Sequence, residues 1–186
     1  PTWAMLEDEF AQLEQDGIFI AVSAGNSFSE YDAAGLSYPA ASPYVVPVAS
    51  VDMDGAISDF SQRSDRVLAA PGSYITSTVP DHVFGADGDL NDFGTSSGTS
   101  MAAPYVAGAS VLVRQAMELA GAESITQDSI YNHLRNTADI VYDSVTSANY
   151  HLINLESAIS ALIPTDDFGS TAGAAHSLGA ITNGSS

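Results

Sequence analysis

Cysteine and lysine are both absent from this 186-residue sequence. Without cysteine there is no disulfide framework, no thiolate metal site and no cysteine nucleophile. Lysine is missing and only four arginines stand against 23 acidic residues, for a formal net charge of -19. That balance excludes nucleic acid and an anionic membrane surface as expected partners, since both are held by clustered cations. No apolar run approaches the length that spans a bilayer, and residues 1 to 10 lack the basic start of a signal peptide. What is present suffices for a folded domain: 45% of the residues are hydrophobic, enough to build a core in a chain of this length. An acidic, hydrated surface suits a secreted or salt-exposed protein. The abrupt start at Pro1 and the Gly/Ser tail read as a piece of a longer chain.

Periodicity orders the elements. Met5, Leu6, Phe10 and Leu13 predict an amphipathic helix over residues 4 to 15, stopped by Gly17. Ile18 to Val22 is a compact apolar run of the kind buried on both faces of a parallel sheet, and it exits into Ser23-Ala24-Gly25-Asn26. Residues 44 to 51 predict a second strand, with Pro47 arguing for an edge or an irregularity. Residues 67 to 70 and 75 to 79 predict two more, and 80 to 98 a Gly/Asp-rich loop. A core helix is expected from Ser100 to Ala120 and another from Thr126, with an Ala-rich stretch to Leu162 closing an α/β domain over residues 1 to 163.

The most informative segment is Gly98-Thr99-Ser100-Met101-Ala102-Ala103-Pro104. It places a serine hydroxyl where a loop of small residues turns into an apolar helix, next to unpaired backbone N–H groups able to receive negative charge. Pro104 fits only near a helix start, because it has no N–H for the carbonyl of Ser100. This segment resembles the nucleophile signature of the subtilisin-like serine proteases. The resemblance continues in order through Gly17 to Asn26, Tyr38-Pro39 with Val45 to Asp52, Phe60-Ser61 and Ala70-Pro71-Gly72. His151 departs from it where that family often has glycine before the late Leu-Ile-Asn.

That resemblance implies a three-layer fold with a mostly parallel sheet, of which this chain would be the C-terminal half. It implies Ser100 as nucleophile, and its N–H with the Asn26 amide as oxyanion donors. Ser23, Ala24, Gly25, Ser37, Gly98 and Thr99 would line the substrate site, and Tyr38-Pro39 would be cis. A protein or peptide substrate is expected, with a broad, mainly apolar preference because no charge occupies the pocket positions. The family's Asp and His precede the oxyanion asparagine. Here His82, His133, His151 and His176 all follow Asn26, so the rest of the triad is expected upstream and the fragment alone is expected to be inactive.

Two rivals remain at this stage. An α/β-hydrolase would use Asp139 or Asp143 with His151, but the Gly-x-Ser-x-Gly elbow has Ala102 in its last place. A non-catalytic acidic module would use Ser100 only as a helix cap. No cofactor is required by any of these chemistries. The resemblance does imply a structural calcium site on carbonyls of Ala40, Ser42 and Val45. Its carboxylate position is Val67, so that Asp65 would have to substitute, and no metal ligand set is assigned. Residues 164 to 186 read as a linker, with Asp166 to Thr171 resembling the start of a pre-peptidase C-terminal domain and implying further domains in the full-length protein.

Overall fold

A computed structural model describes residues 6–83, 87–89 and 91–163. The proposed linker from residue 164 lies outside the described residues. Among those described, five strands form one sheet in the order β1-β2-β3-β7-β6. β1 is Ala21–Ser23, β2 Val46–Val51, β3 Leu68–Pro71, β6 Asp139–Asp143 and β7 Ala148–Leu152. The first four in spatial order run parallel, and β6 returns antiparallel on β7. A second, two-stranded antiparallel sheet joins β4, Ile75–Thr78, to β5, Phe93–Ser96. The fold is therefore α/β with a mostly parallel sheet, as the resemblance implies.

One face of the sheet is covered by the helices α3, Thr99–Leu119, α4, Gln127–Asn136, and α5, Leu155–Ser160. Ala102, Val106, Ala109, Val113 and Met117 recur every three or four residues along α3 and meet Val46, Val48, Leu68 and Ala70 of the sheet. Ile130 and Leu134 of α4 and Ala158 of α5 complete this core. Each fully buried Val, Leu or Ile contributes about 1.5–3 kcal/mol relative to exposure. The other face buries Ala24, Ala49, Val51, Ile57, Val67, Ala69 and Tyr150. Helix α4 starts on a capping box in which Thr126 and Ser129 bond each other's backbone N–H. Helix α1, Glu7–Gln15, lies against the loop before β2, where the Ser42 hydroxyl donates to Glu7 Oε2 at 2.8 Å, and the short helix α2, Phe28–Tyr31, follows β1.

Two sequence expectations change. Pro47 lies in an interior strand, because β2 sits between β1 and β3. Val46 N–H donates to Ile20, and Val48 accepts from Ala24, so Pro47 faces β3. The register of Val48 with Leu68 aims its missing N–H at the carbonyl of Arg66. That oxygen takes the Tyr131 hydroxyl instead, at 2.9 Å. Second, the loop over 80 to 98 contains β5. Between α4 and α5 lies the β6–β7 hairpin.

Candidate active site

The strand exit after β1 and the start of α3 meet edge to edge. Thr99 is fully buried and directs both its N–H and its hydroxyl to Asn26 Oδ1, each at 2.9 Å. Its Oγ1 also accepts the Gly25 N–H at 3.3 Å. Two donors on one oxygen fix which end of the Asn26 amide is which. Asn26 is an exposed residue, and its Nδ2 lies over Gly98, 3.4 Å from the place a Cβ would occupy. A side chain at residue 98 would crowd that nitrogen.

Ser100 is the second residue of α3 and is exposed. Its N–H is one of the orphan donors of a helix start, and among the described residues its hydroxyl has no hydrogen-bond partner. Pro104, inside the helix, supplies no N–H to the Ser100 carbonyl. An open cavity of about 410 Å³ beside this serine is lined by Ile75, Ser77, Ser100, Met101, Pro104 and Tyr105.

The base of the site is held by close backbone packing. Gly98 N–H donates to the Gly72 carbonyl at 2.8 Å, and a Cβ on Gly72 would come within 2.8 Å of the Gly98 oxygen. Beneath it a buried hydroxyl chain runs Ser50–Ser58–Ser73, each Oγ–Oγ separation being 2.9 Å.

Ser23, Ala24 and Gly25 form the strand exit, and Ser37 lies beside it: a Cβ on Gly25 would stand 3.2 Å from Ser37 Oγ. Gly25 has φ +113°, a conformation that side-chain-bearing residues rarely adopt. Gln62 N–H donates to the Gly25 carbonyl at 2.8 Å, and Phe28 N–H to the Phe60 carbonyl at 3.1 Å. The loop 60 to 63 thus grips the Gly25-Asn26 turn from both sides. The Tyr38–Pro39 bond in the neighbouring loop is cis. Ser23, Ala24, Gly25, Asn26, Ser37, Gly98, Thr99 and Ser100 are therefore brought to one edge of the molecule.

The histidines are placed elsewhere or engaged. His133 Nε2 lies 2.7 Å from the Ala158 carbonyl, and His151 Nδ1 3.1 Å from that of Arg135. Burial, followed by the neighbouring Arg135 charge, lowers the His151 pKa from its ordinary value, against the raising effect of that carbonyl bond. Of the two acids a hydrolase triad could pair with His151, Asp143 is committed to Arg63 at 2.7 Å, and Asp139 Oδ2 accepts from the Asn154 amide at 3.1 Å. His82 lies in a short 3₁₀ turn after β4, and His176 is outside the described residues.

A model of the subtilase family matches residues 2–179. The chain belongs to the subtilase family. It is 33% identical over 159 residues to subtilisin BL of Lederbergia lenta, covering 83% of this chain and 51% of that protein. It is 30% identical over 131 residues to the major intracellular serine protease of Bacillus subtilis, covering 69% of this chain and 38% of that one. In fold it is similar to a protease from Pseudoalteromonas arctica, with TM-score 0.66, 24% identity and coverage of 84% and 46% of the two chains. The self-cleaved protease domain of PatA is similar too, with TM-score 0.65, 23% identity and coverage of 84% and 54%. The chain spans about half the length of the subtilisin it matches.

The motif around Ser100 and the isolated Asn26 are legible in the subtilase sequence. The grip of Thr99 on Asn26 is not, because it closes over 73 residues with no local signal. The supporting roles of Gln62, Arg63 and Gly72 are equally non-local.

Proposed function

We propose that this chain carries the nucleophile side of a secreted serine endopeptidase acting on proteins or peptides. The observation that supports the reading is the amide of the exposed Asn26, whose oxygen is tied down by Thr99 and whose Nδ2 lies over Gly98, at the start of the helix bearing Ser100. In the reaction, Ser100 Oγ attacks the scissile carbonyl carbon while a base takes its proton. The carbonyl oxygen becomes an oxyanion, received by the Asn26 Nδ2 and the Ser100 N–H, donors already in place before charge develops. Collapse expels the amine as it gains a proton, leaving an acyl-serine that water then cleaves.

The Asp and His of the triad come, in this reading, from sequence preceding Asn26 in the full-length protein. The Ser100 hydroxyl, without a partner among the described residues, and the engaged His133 and His151 support that assignment. Ser23, Ala24, Gly25 and Ser37 bound the pocket for the residue before the scissile bond, and their uncharged character favours an apolar side chain there. The strand-exit backbone and the edge of residues 96 to 98 are expected to receive the peptide main chain.

The test is turnover of casein and a peptide anilide by the full-length protein, its Ser100→Ala variant, and residues 1 to 186 alone. Activity in the full-length protein, lost in Ser100→Ala and absent from the isolated segment, is the expected pattern. A full-length protein that binds peptides without cleaving them would support the non-catalytic reading instead.

A further inference from the structure

The loop from Ser37 to Val45 joins the proposed pocket to the foot of β2. Two turns shape it, with Ala41 N–H donating to Ser37 and Ser42 N–H to Pro39. Three of its carbonyls converge on one centre, and that centre is the guanidinium of Arg66. Nη2 donates to Ser42 and to Val45, both at 2.9 Å, and Nη1 to Ala41 at 3.4 Å. Ser42 and Val45 are two of the three carbonyls at which the family resemblance implies a structural calcium ion.

Calcium does not fit here. It requires six to eight oxygens, carboxylates among them, converging on one point. The position that would carry the carboxylate is Val67, which is buried and apolar. Asp65, the alternative, has its carboxylate bonded by the Ser64 hydroxyl at 3.0 Å. Among the described residues no three metal-binding side chains cluster anywhere. A guanidinium suits the same cradle because it is permanently charged and presents several N–H donors in a rigid plane. Carbonyl oxygens on one edge and a half-buried stem on the other complete its environment.

We propose that Arg66 is a tethered replacement for a structural cation, holding the 37 to 45 loop in place without metal. Arg66 is fixed from its own backbone as well, since its carbonyl accepts the Tyr131 hydroxyl at 2.9 Å. A cavity of about 150 Å³ reaches the side chain between Pro43, Val45, Gln127 and Tyr131. Removing the side chain therefore leaves a carbonyl cradle that a free guanidinium ion can enter.

The experiment compares the full-length protein with Arg66→Gly and Arg66→Lys by thermal unfolding. Each is measured in chelator, in calcium, and in low-millimolar guanidinium chloride far below denaturing strength. Arg66→Gly should lower Tm by about 5 °C, as expected when charge-assisted hydrogen bonds to buried carbonyls are lost. Guanidinium should restore at least half of that fall while leaving the wild type unmoved, and Arg66→Lys should lie between. Calcium should shift wild type and Arg66→Gly alike if it binds elsewhere in the full chain. An unchanged Tm in Arg66→Gly, or a lowered one that guanidinium does not raise, overturns the proposal. Should Arg66→Gly not fold, a crystal of the wild type grown in calcium decides. An ion on the Ser42 and Val45 carbonyls with Arg66 displaced overturns the proposal, and Arg66 in place supports it. None of these readouts needs peptidase activity, so their failure would leave the reading of Ser100 untouched.

Discussion

Replacing Asp143 with alanine should destabilise this protein more than any other single change to a charged residue outside the site. Arg63 is 1% exposed and Asp143 7%, and Nε lies 2.7 Å from Oδ2 with its N–H angled away from a linear bond. The guanidinium carbon stacks 3.6 Å from the centroid of the Phe28 ring, and Nη1 donates to the Ser61 carbonyl at 2.9 Å. Asp143 also accepts from Val145 N–H and from the Thr146 hydroxyl, at 3.1 and 2.8 Å. Without the carboxylate, a charge stays buried against an aromatic face with one carbonyl partner. Breaking such a pair from one side costs about 3–5 kcal/mol, read as a fall in Tm on the order of 10 °C. Replacing both partners by apolar groups removes the stranded charge, and a thioether still packs on Phe28. Arg63→Met with Asp143→Leu should therefore recover most of the loss. Urea unfolding of the wild type, both single variants and the double variant provides the cycle. A loss below about 1 kcal/mol for Asp143→Ala, or a double variant as unstable as the singles, would refute the buried-pair argument. Because loop 60 to 63 grips Gly25 and Phe28, Asp143→Ala should also lower kcat in the variant that remains folded.

Thr99→Val removes the hydroxyl bond to Asn26 and keeps the shape. The loss of about 1–1.5 kcal/mol of positioning should appear as a roughly tenfold fall in kcat with little change in KM, measured on a peptide anilide. The depressed His151 pKa makes the folded state bind fewer protons than the unfolded one as pH drops below 6.5. Stability is then complete above that pH and declines below it toward the folded pKa, so His151→Asn should flatten the decline in unfolding experiments between pH 7 and 5 (roughly the range where histidine titrates). Finally, all four arginines donate to backbone carbonyls, and the single ion pair among the described residues is buried. Salt has acidic repulsion to screen and no exposed pair to weaken there, so Tm should rise as NaCl is raised from about 0.1 to 1 M.

Where hydrophobic pattern governs, the sequence predicts the elements to within a few residues. The core helix expected from Ser100 to Ala120 runs Thr99–Leu119, and β2 and β3 are shifted or trimmed by one or two positions. The missed elements share a different character. β5 is built from Phe93, Gly94, Thr95 and Ser96, mostly exposed, and owes its strand form to pairing with β4. β6 is a largely exposed edge strand whose one buried residue is the ion-paired Asp143. Neither carries the alternation that marks a half-buried strand. Pro47 misled for a related reason: proline in a central strand is unfavourable unless another donor serves the orphaned carbonyl, and that donor, Tyr131, is 65 residues from Arg66. In the candidate site the chemistry-bearing residues were visible as types in order, whereas what orients them was not. Asn26 looks like any turn asparagine until Thr99 is placed beside it.

The central claim is that Ser100, its N–H and Asn26 Nδ2 act on one carbonyl. A crystal structure of the full-length protein with a peptide boronate or aldehyde tests it most directly. The account predicts a covalent bond from Ser100 Oγ to the inhibitor, with the former carbonyl oxygen or its boronate equivalent about 2.7–3.1 Å from both Asn26 Nδ2 and the Ser100 nitrogen. An adduct on another residue, or one on Ser100 whose oxygen turns away from Asn26, would contradict it.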